Sequence, residues 1–197
     1  MRRKVFFIGF NRTATTSLHY LFKKAGYNSC HCLKNEGGHI ARQMQQNIDA
    51  EKPILYTMEN VEVFSDVCYT KNSQHIEGTH FFKRYYAEYP DAYFILNTRD
   101  TKTWIKSRTK HKRGDYLRRY MKFNNIKSPV EVKEQWEEEK ERWETKIRNF
   151  FTTAATDARF LEFHIVNDNI QTLIDFVKED YPNLLKRDFG HKNKTPV

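Results

Sequence analysis

The sequence reads Val5-Phe6-Phe7-Ile8-Gly9-Phe10-Asn11-Arg12-Thr13-Ala14-Thr15-Thr16-Ser17 near its amino terminus. Its first four residues form a continuous apolar, β-prone run, which is typical of a strand buried on both faces of a parallel sheet. A helix is predicted over 15–25 because apolar residues recur on one helical face, and Gly26 follows where a helix often ends. The stretch 9–14 is therefore predicted to present backbone N–H groups and a helix N-terminus to an anion.

The segment 9–17 approximates the nucleotide phosphate loop G-x-x-x-x-G-K-[ST], with two departures. Ala14 stands where the second Gly is expected, and Thr15 stands at the Lys position. The positive charge has moved to Arg12, whose guanidinium can clamp a phosphate bidentately. The hydroxyls of Thr15 and Thr16 can donate hydrogen bonds to the same phosphate. The alternative is an ordinary strand–loop–helix connection in which a Thr caps the helix.

Outside this stretch the chain alternates predicted strands and helices, which indicates a parallel sheet covered by helices. A long helix to about residue 151 has a strong start, with Ser128 as N-cap, Pro129 at the first position and Glu131 at the third. The elements predict one α/β domain over residues 1–197, a three-layer α/β/α arrangement of the P-loop nucleotide-binding type with about four to five parallel strands. The other strands are predicted at 53–58, 61–64, 93–97 and 160–166, and the other helices at 39–50, 79–89, 101–109 and 170–179.

The composition is basic, with 34 Lys and Arg against 25 Asp and Glu, and this favours an anionic partner. Three cysteines are too few for a disulfide framework, and Cys30-His31-Cys32 lacks a second pair of ligands for zinc, so no metal is expected. The apolar run 5–10 is too short for a signal-peptide core, and no segment has the ~18 apolar residues of a membrane span. The expectation is a cytoplasmic protein.

A second candidate anion site follows the buried strand predicted at 93–97. Arg99 lies at the carboxyl end of that strand, which is the edge where ligands bind in open α/β sheets. Ser107 comes eight residues later, about two helical turns along the next helix. An Arg and a Ser hydroxyl in this relation can share one phosphate, whereas either residue alone would be read as a solvated surface side chain.

Together these motifs resemble those of sulfotransferases that use 3′-phosphoadenosine 5′-phosphosulfate (PAPS). The string 8–18 is similar to the family's 5′-phosphosulfate loop, especially in small bacterial, algal and viral-type members, and Arg99 with Ser107 is similar to its 3′-phosphate motif. The basic tail around Lys192 and Lys194 resembles the segment that closes over the nucleotide. The resemblance implies that the donor, and its product 3′,5′-adenosine bisphosphate (PAP), is bound by Asn11, Arg12, Thr13, Ala14, Thr15, Thr16, Ser17, Arg99, Ser107, Lys192 and Lys194.

The resemblance also implies metal-independent, in-line sulfuryl transfer to a hydroxyl or amine of a small-molecule or carbohydrate acceptor. Arg12 would stabilise the leaving phosphate. Asp66 is the candidate catalytic base because Phe-Ser-Asp at 64–66 resembles a segment of the family, although an Asp serves as a base only if its surroundings raise its pKa. His31, Glu59 and His80 are rivals for this role.

Three other functions fit some of these features. A P-loop small-molecule kinase would need the Lys that Thr15 replaces. A nucleic-acid-binding module would suit the positive charge, but no nucleic-acid motif is present, so no nucleic acid is expected as a partner. A sulfotransferase homologue that binds the nucleotide without catalysis fits Ala14 in place of Gly. The sequence specifies neither the acceptor nor the oligomeric state.

Overall fold

The computed structural model describes residues 2–34, 37–71 and 74–190. Its strands are β1 (Val5–Phe7), β2 (Ser29–His31), β3 (Val63–Ser65), β4 (Cys68–Lys71), β5 (Gln74–Glu77), β6 (Tyr93–Thr98) and β7 (Arg159–His164). Five of them form a sheet in the order β2-β3-β1-β6-β7, in which every pairing is parallel. β4 and β5 form a separate antiparallel pair. The prediction of an α/β protein with four to five parallel strands is confirmed, and β1 lies at the centre of the sheet.

The helices begin close to where the sequence places them. The Asp100 carboxylate accepts a hydrogen bond from the Thr103 amide, and the Ser128 hydroxyl accepts from the amides of Val130 and Glu131. Both residues are N-caps, and the cap at Ser128 was predicted. In the described part of the chain, none of the helices combines the length and apolar character that a bilayer crossing requires. They are α1 (Thr15–Lys24), α2 (Ile40–Asp49), α3 (Phe82–Glu88), α4 (Thr101–Lys110), α5 (Asp115–Asn124), α6 (Pro129–Asn149) and α7 (Ile170–Val177).

Helices cover both faces of the sheet because the strand side chains alternate between them. Val5 and Phe7 point to one face, where they pack against α1 and α7. Phe6 points to the opposite face, where it packs with Phe94 against α2, α3 and the carboxyl end of α6. Since each fully buried apolar side chain stabilises a fold by roughly 1.5–3 kcal/mol, both faces contribute to the core. The predicted three-layer arrangement is confirmed.

One predicted strand is wrong, and three strands and one helix were not predicted. The segment 53–58 forms consecutive turns, with hydrogen bonds from the Tyr56 amide to the Pro53 carbonyl and from the Met58 amide to the Leu55 carbonyl. Its apolar side chains are buried in the core, so the apolar run reflects burial and not strand pairing. The sequence analysis missed β2, the β4–β5 hairpin and α5.

A third apolar cluster lies beyond the carboxyl edge of the sheet, where α4, α5 and α6 meet. Arg108 of α4 is fully buried there, with its guanidinium carbon 4.7 Å and 4.8 Å from the ring centroids of Trp104 and Trp136. Its Nη2 donates to Glu77 Oε2 of β5 at 2.9 Å and to the Tyr116 hydroxyl of α5 at 2.7 Å. Arg108 thereby fixes the β4–β5 hairpin and α5 relative to α4.

Replacing Glu77 by Ala is expected to lower the free energy of unfolding by about 3–5 kcal/mol, because a buried guanidinium would lose its carboxylate partner. The side chains of Arg108 and Glu77 are 0% and 2% exposed. Glu162→Ala is a control, since Glu162 and Arg148 are 38% and 39% exposed and such pairs contribute ~1 kcal/mol or less. Urea denaturation followed by circular dichroism measures both changes, and equal losses would contradict the assignment.

Candidate active site

A cavity of about 330 Å³ opens at the carboxyl edge of the sheet, next to the β1–α1 loop (residues 8–14). This is the edge at which parallel α/β sheets bind ligands. Its walls come from the segments that follow β1, β2 and β3, from the hairpin, and from the α4–α5 region. The lining residues are Asn11, Arg12, Thr15, Thr16, His31, Cys32, Leu33, His39, Asp66, Cys68, Tyr69, Thr70, His111, Lys112, Tyr116 and Arg119.

The β1–α1 loop is held by a buried side chain of the neighbouring strand. Asn97 of β6 is 0% exposed, and its Oδ1 accepts a hydrogen bond from the Gly9 amide at 3.0 Å. Its Nδ2 donates to the carbonyl and hydroxyl oxygens of Thr13, at 3.2 Å and 2.6 Å. A Cβ on Gly9 would lie 2.0 Å from the Asn97 carbonyl oxygen, so only glycine fits there. Trp104 adds a bond from its Nε1 to the Asn11 carbonyl at 2.8 Å.

Two residues of this loop adopt left-handed backbone conformations, Arg12 at φ 68° and Ala14 at φ 60°. Such angles cost energy in any residue with a Cβ, which is the physical reason that a glycine is expected at position 14. Ala14 is also the N-cap of α1, and no side chain caps the helix there. The positive end of the helix dipole therefore lies beside the cavity, where Thr15 and Thr16 of the first turn face in.

The two predicted anion motifs meet at this edge. Arg12 Nε donates to the Ser107 hydroxyl at 3.1 Å, and Arg99 Nη1 donates to the Arg12 carbonyl at 3.4 Å. Burial lowers the pKa of the Arg12 guanidinium; the Asp66 carboxylate opposes this shift and the Arg99 cation adds to it. Burial lowers the pKa of Arg99 as well. Two partly buried cations so close together favour an anion between them.

Asp66 lies on the other side of the loop, directly after β3, with its own backbone in the left-handed region at φ 53°. Its Oδ2 is 3.7 Å from His31 Nε2, and its buried Oδ1 has no hydrogen-bond partner among the described residues. His31 Nε2 is also 3.2 Å from the Thr16 hydroxyl and 3.3 Å from the Thr15 hydroxyl. Asp66 and His31 thus share the cavity with the first turn of α1.

The other two rival bases lie away from the cavity. Glu59 precedes β3, and its carboxylate accepts a hydrogen bond from the Thr57 amide at 3.1 Å. His80 stacks on Trp143 with 3.9 Å between ring centroids, and its Nε2 is 3.5 Å from Glu139. Neither side chain lines the cavity. The geometry therefore leaves Asp66 and His31 as the candidates.

A family model described as a sulfotransferase domain matches residues 4–196, essentially the whole chain. The chain belongs to the sulfotransferase family. The recognition based on the two motifs is thereby confirmed, and sulfuryl transfer is the reaction class that this family supports. A search among curated proteins finds no significant match.

Of the remaining nucleotide-binding residues that the resemblance implies, some lie at the cavity of this sulfotransferase and others do not. The Asn11 side chain lines the cavity, and its Nδ2 is 3.4 Å from Cys68 Sγ. Thr13 is fully buried and its hydroxyl donates to the Phe10 carbonyl at 2.5 Å, so it braces the loop from inside. Ser17 is buried and does not line the cavity. Lys192 and Lys194 lie outside the described residues.

Sequence reasoning missed the two residues that hold the loop, Asn97 and Trp104. The available signal was an asparagine in a strand that is otherwise almost wholly apolar. A buried carboxamide requires hydrogen-bond partners, and the loop at the end of the adjacent strand in a parallel sheet can supply them. Asn97 is the last residue of the strand predicted at 93–97, and this role was not predicted for it.

Ala14→Gly is expected to raise the free energy of unfolding of this sulfotransferase by roughly 0.5–1 kcal/mol. Relief of the left-handed conformation exceeds the entropy that glycine adds to the unfolded chain. Ala87→Gly, at an exposed position of α3, is the matched control and should lower it by up to ~1 kcal/mol. Thermal and urea denaturation give both values. Destabilisation of the Ala14 variant by as much as the control would refute the strain at this position.

Proposed function

We propose that this sulfotransferase uses PAPS as donor and transfers its sulfuryl group to a hydroxyl or amine of an acceptor bound in the cavity. The observation that carries the proposal is the contact of Arg12 with both Ser107 and Arg99 at one edge of the sheet. Arg99 and Ser107 follow Arg12 by 87 and 95 positions in the chain. Their convergence on Arg12 supports a ligand with more than one anionic group.

On the donor side, the β1–α1 loop with Arg12, Thr15 and Thr16 would hold the 5′-phosphosulfate. Arg99 and Ser107 would hold the 3′-phosphate. Because the Ser107 oxygen accepts its hydrogen bond from Arg12, the hydroxyl proton remains to be donated to a phosphate oxygen. An ATP-dependent kinase fits less well, since Thr15 occupies the position of the lysine that would bind the β- and γ-phosphates.

In the transfer step, the acceptor oxygen attacks sulfur from the side opposite the 5′-phosphate. A new S–O bond forms, the bond between sulfur and the bridging phosphate oxygen breaks, and its electron pair stays on the phosphate. Asp66 would take the acceptor proton, with His31 beside it. Arg12 would stabilise the charge that develops on the leaving phosphate. The unpartnered, buried Oδ1 of Asp66 supports this role.

Arg99→Ala should remove the preference for a 3′-phosphate. Isothermal titration calorimetry with PAP and with adenosine 5′-monophosphate measures it. The unmodified protein should bind PAP at least about tenfold more tightly than the monophosphate, since a hydrogen bond to a charged group contributes ~1.5–3 kcal/mol. The variant should bind both nucleotides with similar affinity.

Arg159→Ala is the control for this measurement, because Arg159 begins β7 at the opposite edge of the sheet and its Nη1 donates to the Asp91 carbonyl at 3.4 Å. It should keep the PAP preference. If the unmodified protein bound ATP with Mg²⁺ and not PAP, the kinase would be favoured instead. If Arg99→Ala kept the preference for PAP over the monophosphate, the assignment of Arg99 would be refuted.

Asp66→Asn should lower kcat by about 10²–10⁴-fold for any acceptor that the unmodified protein sulfates, because the carboxamide cannot accept the proton. The affinity for PAP should stay the same. Asp91→Asn, at an exposed turn before β6, controls for loss of a surface charge. The rates are measured by chromatography of the PAP that is released. Full activity of Asp66→Asn would assign the role of base to His31.

A further inference from the structure

The strand order divides the carboxyl edge of the sheet into two sides. β6, which carries Arg99 at its end, lies on one side of the central strand β1. β3 and β2, which end next to Asp66 and His31, lie on the other side. The cavity lining includes the residues that follow β2 and β3 together with the α4–α5 region, and it does not include Arg99. If the proposed function holds, the donor nucleotide extends towards β6, and the cavity is the acceptor site.

The cavity lining is predominantly positive. Its charged side chains are Arg12, Lys112 and Arg119 against the single carboxylate of Asp66. Arg12 belongs to the β1–α1 loop and faces the donor. The two cations that remain, Lys112 and Arg119, come from the α4–α5 turn and from α5, whereas Asp66 follows β3. The two cations of the acceptor site and the candidate base thus belong to different walls of the cavity.

Lys112 is held at the cavity by an unusual turn. Lys112 and Arg113 have φ angles of 49° and 55°, and Gly114 follows at 81°. Consecutive left-handed residues other than glycine are unfavourable and are typical of functional sites. The Lys112 ammonium forms no hydrogen bond or ion pair with any described residue, although its side chain lines the cavity. Its charge is therefore available to a ligand.

Arg119 is the more rigid of the two cations. Its Nη1 donates to the Thr70 carbonyl of the hairpin at 2.9 Å, and its Nε lies 3.0 Å from Asp115 Oδ2. Neither contact uses Nη2. A guanidinium anchored in this way keeps its remaining donors in fixed directions, which suits recognition of an oxyanion.

The neighbouring histidines respond to this positive environment. Burial, the Arg12 charge and the Lys112 charge together lower the pKa of His111 to about 4, with Arg119 contributing in the same direction and Asp66 opposing. Burial and the charges of Arg42, Lys71 and Lys112 lower the pKa of His39. Burial disfavours charge of either sign, but the contribution of the surrounding cations to both shifts shows a positive potential at these histidines.

We propose that the acceptor carries an oxyanion, such as a carboxylate or a sulfate or phosphate ester, which Lys112 and Arg119 bind while the acceptor hydroxyl lies at Asp66. The Asp66 carboxylate would repel an anion placed next to it. The anionic group and the reacting hydroxyl must therefore lie at separate ends of the acceptor, facing the α4–α5 wall and the β3 end respectively.

Matched acids and amides test this inference in the protein saturated with PAP. The probes are 4-hydroxybenzoate against 4-hydroxybenzamide and glucuronate against glucuronamide, with affinity measured by isothermal titration calorimetry. In at least one pair the acid should bind roughly tenfold or more tightly than the amide, because only the acid forms charge-assisted hydrogen bonds. Equal affinity within both pairs, or no binding of either acid, overturns the inference.

Variants identify the groups responsible. Lys112→Ala combined with Arg119→Ala should abolish the preference for the acid and leave amide binding unchanged. Lys112→Ala alone should reduce the preference, and its exposed side chain leaves the fold intact. Arg118→Ala is the matched control, since Arg118 is an exposed neighbour that does not line the cavity. A preference that survives the double substitution contradicts the inference.

The affinity for PAP separates this inference from the proposed function. If the double variant loses PAP affinity and not acid affinity, Lys112 and Arg119 serve the donor, and the anionic acceptor is refuted while PAP dependence stands. If the unmodified protein fails to bind PAP, the proposed function fails by itself. In that case the affinities of the nucleotide-free protein for the acids and amides still decide whether the cavity prefers an anion.

Discussion

The carboxamide of Asn97 connects the central sheet to everything built on its carboxyl edge. One side chain bonds to both ends of the β1–α1 loop, at Gly9 and at Thr13, and does so from a strand that is fully buried. A buried carboxamide deprived of these partners would be costly, so the loop and the strand determine each other's conformation. The left-handed angle of Arg12 and its contact with Ser107 both depend on this fixed loop. The groups proposed to bind the anion are therefore positioned by the core and not by the surface.

A second constraint shapes the cavity wall formed by the hairpin and the α4–α5 region. The buried pair of Arg108 and Glu77 joins α4 to the hairpin, and the bond from Arg108 to Tyr116 joins both to α5. These elements carry most of the cavity wall that faces the strands. Burying this charged pair costs free energy, because both groups lose their hydration. The surrounding aromatic rings offset part of that loss through contact with the guanidinium face.

The sequence predicted those parts whose signals are local. The apolar runs of β1 and β6 and the cap at Ser128 lie within short windows, and each was placed correctly. The motifs around Arg12 and Arg99 are equally local, and they led to the family. β2 escaped because two of its three residues, Ser29 and His31, are polar, and it is a strand only through pairing with β3. The helix α5 lies in a basic stretch of the chain and was not predicted. Among the candidate bases, Glu59 and His80 were separated from Asp66 and His31 only by the three-dimensional arrangement, which depends on contacts across the whole chain.

Ala14 has a consequence for how tightly a ligand can be held. A glycine hinge would leave the loop several backbone conformations in the ligand-free protein, and binding would have to select one of them. A methyl group confines the loop to a narrow region of backbone angles once folding has placed it there. The conformational entropy is lost when the chain folds and not when a ligand binds, so the loop is preorganised for the anion that we propose it binds. The strain at Ala14 thus lowers the stability of the fold, and in return the loop need not rearrange when a ligand binds.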